Sequence, residues 1–152
     1  MYEFLQYQVR DAMTVDPVAI SSRAKLREAE MLFELRDFNG VPVVDDQRHL
    51  LGVLTKFDLL KAFALGSRAI APHYDDIMEG LVETVMDRNP ASVEPQLPLS
   101  RLLQKLVDMR TKSLPVVENG RLVGIISHQD VLKALRRATV QHEIPAHEDS
   151  RP

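Results

Sequence analysis

Leu99, Leu102, Leu103, Leu106 and Val107 follow one another at steps of 3, 1, 3 and 1, which gathers apolar side chains on one face of a helix. Upstream, Leu26, Ala29, Leu32, Phe33 and Leu35 trace a similar stripe of lower contrast, and Ser21-Ser22 ahead of it offer hydroxyls for its N-terminal cap. Each stripe is followed by two apolar runs, residues 41–44 and 50–54 in one case, 114–117 and 122–126 in the other. Runs that are apolar almost throughout predict strands covered on both faces. A short strand opens each set, Val18-Ala19-Ile20 or Ala91-Ser92-Val93, just after Pro17 or Pro90, whose ring fixes the incoming backbone.

The two sets are one pattern used twice. Met13 and Met86, Pro17 and Pro90, Leu26 and Leu99, and the VPVV and LPVV runs around Pro42 and Pro115 all stand 73 positions apart. Beyond them Gly52-Val53-Leu54-Thr55 matches Gly124-Ile125-Ile126-Ser127 and Asp58 matches Asp130, now 72 apart. The lost residue lies in a turn, Asp45-Asp46-Gln47-Arg48 in the first copy and Glu118-Asn119-Gly120 in the second, where Asn-Gly favours the positive φ of a tight hairpin. Each copy therefore reads as strand, helix, strand, strand, helix. The helix crossover requires parallel strands and the short turn an antiparallel pair. The fold class is α+β, two βαββα repeats at residues 9–65 and 81–137. A lead-in at 1–8, a polar connector at 66–80 with a helical turn and a polar tail at 138–152 complete the chain.

Composition narrows the function. The 152 residues, 45% hydrophobic and 27% charged, suffice for one core without crosslinks, and two halves of about 60 residues, each marginal by itself, are expected to share it. No cysteine is present, which excludes thiolate catalysis, thiol redox sensing and Cys-ligated metal, and a cytoplasmic location is expected. No apolar run approaches the roughly 18 residues of a membrane span, and no export signal is visible. A net charge of −3 lacks the clustered basic face of a nucleic-acid binder, for which only Lys133 and Arg136-Arg137 are candidates, yet it leaves room for a local anion site. The tail carries His142-Glu143 and His147, but the second His comes one position late for a zinc-binding HExxH helix and Pro145 interrupts it.

What both copies keep at a strand-to-helix junction is Gly, two aliphatics, a hydroxyl residue, two variable residues and Asp: Gly52, Thr55, Asp58 and Gly124, Ser127, Asp130. A hydroxyl followed three residues later by an acid is a capping box, with Asp shorter than the usual Glu. The alternative is a ligand site, because a helix N-terminus suits phosphate and a carboxylate accepts two ribose hydroxyls. The glycine marks either a close approach of backbone or ligand, or a bulge beside the hairpin.

These residues, with the paired Met-x-x-x-Pro segments, resemble a tandem CBS domain, named after cystathionine beta-synthase, over about residues 9–135. The resemblance implies that the halves pack through their sheets about a pseudo-twofold axis, leaving two clefts for adenosine derivatives: AMP, ADP, ATP or S-adenosylmethionine. It assigns ribose to Asp58 and Asp130, and ribose or phosphate to Thr55 and Ser127. It lines the adenine slots with Val18, Ile20, Val41 and Pro42, and with Val93, Leu114 and Pro115, where core packing is an equal explanation. It expects a phosphate-binding basic residue before each proline, met by Lys112 but by Asn39 and Gly40 in the first copy. Lys56 and His128 either supplement the phosphate, His128 then making binding pH-sensitive, or are solvated first-turn side chains.

Two functions follow. One is a small, stand-alone, non-catalytic sensor whose ligand shifts the packing of the halves and thereby contact with a regulated partner. The other is a ligand-free structural association module whose hydroxyl–Asp pairs only cap helices. An enzyme is disfavoured, since no P-loop, dinucleotide fingerprint or nucleophile with a base is present, and Asp45-Asp46 and Asp75-Asp76 fall in turns. The resemblance also implies a homodimer formed through helices, with Phe57, Leu60 or Phe63 at the contact or else in the core, and no nucleic-acid or membrane partner.

Overall fold

A computed structural model describes residues 3–65 and 73–140. After a 3-10 turn at Phe4–Gln6 come α1 (Val9–Ala12), β1 (Thr14–Val15), β2 (Ile20–Ser21), α2 (Leu26–Leu35), β3 (Gly40–Val44), β4 (Leu50–Thr55) and α3 (Lys56–Leu65). The chain continues through α4 (Tyr74–Met78), a second 3-10 turn (Val82–Thr84), α5 (Leu99–Met109), β5 (Ser113–Glu118), β6 (Arg121–Ser127) and α6 (His128–Val140). The strands form two three-stranded sheets, β2-β3-β4 and β1-β6-β5.

The architecture is α+β, as the sequence requires. β2 runs parallel to β3 across the α2 crossover, and β3 antiparallel to β4 across the turn. The β5–β6 turn places Asn119 at φ 51° and Gly120 at φ 80°, the two positive values a type I′ hairpin demands. Three expectations need correction. The first short strand begins only at Ile20, and the Ala91-Ser92-Val93 segment contributes one parallel bridge, Val93 to Val116, in place of a strand. β4 and β6 bury alternate residues, so consecutive burial on both faces is confined to β3 and to Leu114–Val116 of β5. Ser21 and Ser22 do not cap α2; Lys25 is its N-cap residue, and Glu28 accepts the Lys25 backbone N–H at 2.8 Å.

The chain divides into two compact units, each built from separate segments. One contains the described residues up to Val15, Ser92–Val116 and those from Gly124 on; the other contains Asp16–Ala91 and Val117–Val123. In the second unit Ile20, Leu26, Ala29, Phe33, Val41, Val43, Leu54, Met78, Val82 and Met86 form the core. In the first, Leu99, Leu102 and Leu106 of α5 are buried, as are Val93, Leu114, Val116, Ile126 and Val131. Both predicted stripes are narrower than expected: Leu35 and Val107, at the last turns, face solvent at 76% and 63% exposure.

Each sheet is completed by the segment that leads into the other repeat. Thr14 and Val15, which precede the first repeat's strands, pair antiparallel with Ile125 and Gly124 of β6. Asp87 exchanges backbone hydrogen bonds with Val53 of β4 at 2.9 and 3.0 Å. The same crossing recurs earlier in each lead segment, where Val9 N–H donates to Leu97 O at 2.9 Å and Val82 N–H donates to Ala24 O at 2.8 Å.

This crossing explains the repeated glycines. A Cβ on Gly52 would lie 2.4 Å from the Asp87 carbonyl oxygen and 2.9 Å from Met86 Sδ; on Gly124 it would lie 2.7 Å from Met13 Sδ and 3.0 Å from Thr14 O. Both glycines meet another backbone, and the approaching chain carries the repeated methionine; beside Gly52 the β3–β4 register also shifts, with Val43 opposite Gly52 and Val44 opposite Leu50, so in the first copy the bulge is present as well.

Candidate functional site

The two junctions have the same skeleton. At the end of β4, Thr55 donates its backbone N–H and its hydroxyl to Asp58 Oδ2 at 2.8 and 2.9 Å, while Asp58 N–H donates to Thr55 Oγ1 at 3.2 Å. At the end of β6, Ser127 makes the same pair of bonds to Asp130 Oδ2 at 2.9 and 3.1 Å, and Asp130 N–H returns one to Ser127 Oγ at 3.3 Å. These are reciprocal capping boxes, formed although Asp is shorter than Glu, and they satisfy N–H groups that α3 and α6 would otherwise leave unpaired. Each also uses only one carboxylate oxygen.

The second oxygen differs between copies. Asp58, only 4% exposed, offers Oδ1 to Lys61 Nζ at 2.8 Å, one helical turn on. Asp130 is half-buried, and among the described residues its Oδ1 meets only the Thr14 hydroxyl, at the long distance of 3.4 Å. Sequence reasoning passed over both Lys61 and Thr14. The Asp-to-Lys spacing of three was a visible signal for Lys61; Thr14 had none, because it reaches the site through the lead-segment crossing.

The first helical residues are also placed alike but used differently. Lys56 N–H donates to Asn39 O at 3.4 Å and His128 N–H to Lys112 O at 3.0 Å, so each helix start is tied to the residues ahead of β3 or β5. The His128 ring turns back onto that segment, Nε2 donating to Thr111 O at 2.7 Å. The Lys56 side chain instead lines an apolar cavity of about 270 Å³ with Glu30, Leu59, Leu60, Phe63, Tyr74 and Met78. Lys112, Lys56 and His128 are all exposed.

The expected adenine-slot residues are mostly interior. Ile20 and Val41 belong to the core of their unit with Val18 packed against them, and Pro42, Val93, Leu114 and Pro115 are buried. Val93 also borders a cavity of about 360 Å³ with Ser92, Glu94, Gln96, Leu97 and Lys105. Phe57 and Leu60 are exposed at 67% and 66%, whereas Phe63 is partly buried, stacked on Tyr74 with ring centroids 5.6 Å apart. Among the described residues no cluster of His, Asp or Glu could hold a metal ion and no helix is long and apolar enough to cross a membrane. The tail histidines lie outside the described residues.

Known proteins align with this geometry. A putative acetoin utilization protein, AcuB, of Vibrio cholerae shares 31% identity, with 96% of this chain and 98% of that one covered at a TM-score of 0.77. CBSX2, solved in complex with AMP, shares 28% identity over 88% of this chain and 98% of its own, at a TM-score of 0.73. L-aspartate semialdehyde sulfurtransferase of Methanocaldococcus jannaschii is 26% identical over 81% of this chain, which spans only 22% of that enzyme's length. The CBS domain family matches twice, at residues 9–65 and 82–137, so the chain belongs to the CBS domain family as a pair of such domains.

Proposed function

We propose that the chain is a non-catalytic regulatory module that takes an adenosine-containing ligand at its strand-to-helix junctions and passes the occupancy to a partner protein. The observation that carries this reading is Asp130: a half-buried carboxylate, fixed through Oδ2 by Ser127, whose Oδ1 has one long hydrogen bond among the described residues. Such an oxygen gains most from a ribose hydroxyl, since hydrogen bonds to ionised acceptors are about twice as strong as neutral ones. The helix start beside it favours phosphate, with Lys112 and His128 adjacent. The AMP held by CBSX2, whose sequence is 28% identical, supports the ligand class.

The competing reading, a ligand-free association module, draws on the capping boxes, which account for the hydroxyl–Asp pairs without any ligand, and on the exposed Phe57 and Leu60. A homodimer and a cytoplasmic location belong to both. Thermal-shift measurements with AMP, ADP, ATP and S-adenosylmethionine separate the two. A bound ligand at about 100 times its Kd stabilises by about 2.7 kcal/mol. A flat response to all four sinks the sensor reading.

A further inference from the structure

We infer that the two junctions are not equivalent: the Ser127/Asp130 junction takes the ligand, and Lys61 holds the Thr55/Asp58 junction shut by occupying the carboxylate oxygen a ribose needs. The inference rests on the adenosine reading and assigns it to one site.

Three differences point the same way. Asp58 is almost wholly buried and both its oxygens are engaged, Oδ2 by Thr55 and Oδ1 by the Lys61 ammonium at 2.8 Å. A ribose hydroxyl there must compete with an ammonium for an oxygen of an almost wholly buried carboxylate, and its hydrogen bond would carry charge on the acceptor alone where the Lys61 bond carries charge on both partners. Asp130 has a lysine at the same spacing, Lys133, but among the described residues no ion pair joins them, so its Oδ1 is open to a new donor.

The cations differ too. Ahead of the second hairpin stands Lys112, tied by its carbonyl to the start of α6, and the His128 ring folds back toward the same segment. Ahead of the first stands Asn39, and the exposed Lys56 borders the cavity lined by Glu30 and Tyr74. The segment ahead of the hairpin therefore offers an anionic ligand a lysine at the second junction and an uncharged asparagine at the first.

Lys61 is a positioning residue, and calorimetric titration of the whole chain with AMP tests it. The wild-type chain is expected to bind one AMP, and Asp130→Asn, which keeps an acceptor for the capping box, to weaken that site at least tenfold. Lys61→Met should raise the stoichiometry to two, and adding Asp58→Asn to it should return it to one. Lys61→Gln repeats the measurement with a polar side chain, so that a folding or association defect of the Met variant does not decide the result. Two equal sites in the wild-type chain, an intact site in Asp130→Asn, or a stoichiometry of one in both Lys61 variants overturns the assignment while leaving the adenosine reading standing. No AMP binding by the wild-type chain overturns the assignment, and no binding of ADP, ATP or S-adenosylmethionine either overturns the adenosine reading with it.

Discussion

Helices α2 and α5 occupy corresponding places in the two repeats, yet they fill them with different atoms. α2 buries Leu26, Ala29 and Phe33; α5 buries Leu99, Leu102 and Leu106 at the matching positions. Where one copy sets a small residue beside a large aromatic, the other sets two leucines, so the apolar character is kept across the pair while shape is not. Cores tolerate such exchanges when total volume is kept. The repeat is thus preserved as an apolar pattern and a hydrogen-bond pattern, and its copies align on Gly, Pro and Asp better than on their helices.

The largest expected effect breaks this balance. Leu102→Ala gives α5 the residue α2 already has without the compensating aromatic, at a position with no exposure, and should cost about 3 kcal/mol in urea unfolding. Leu102→Ala with Leu106→Phe should recover part of that loss. No recovery would show that the two cores do not trade volume in this way.

The glycine crossings come next. Gly52→Ala drives a Cβ into a backbone oxygen at 2.4 Å, whereas Gly124→Ala meets the flexible end of Met13 first. The former should cost about 2–3 kcal/mol and the latter about 1 kcal/mol, within the range for overpacked sites. Equal losses in parallel melts would contradict the difference.

A smaller effect separates the junctions. Asp130→Ala removes one capping box and should cost about 1 kcal/mol. Asp58→Ala removes a box and the Lys61 pair, yet Lys61 stays solvated, so the excess should remain below about 1 kcal/mol.

The weakest effect distinguishes the hairpin turns. Backbone N–H groups of His49 and Gln47, with the His49 ring, hold the Asp45 carboxyl below its ordinary pKa. A depressed folded-state pKa stabilises above the ordinary carboxylate range, and the benefit is lost as pH falls through the depressed value. The His49 and Gln47 amide resonances should titrate with that low midpoint and cease to do so in Asp45→Asn.

Much of this was legible from residues alone. The duplication, the parallel and antiparallel pairings, the Asn-Gly hairpin and the hydroxyl–Asp boxes all depend on local spacing, and the structure forms each of them. What escaped depends on distant partners. Gly52 and Gly124 could not be interpreted before Met86 and Met13 were seen against them. Leu35 and Val107 fit a helical stripe but sit in last turns that no neighbour covers. Lys61 and Lys133 share one spacing from an aspartate and only the first forms the ion pair, so spacing alone does not decide the bond.

The crossed lead segments bear on ancestry. A chain holding a single repeat would carry its lead segment with no sheet of its own to join and a β4-type edge with nothing beside it. Two such chains satisfy each other by exchanging leads, and fusing them end to end yields the connectivity seen here, with Thr14 on β6 and Asp87 on β4. On that view the duplication joined a reciprocally exchanged dimer into one gene product. Separating the halves again at the connector should yield fragments that associate when mixed and are poorly folded when apart.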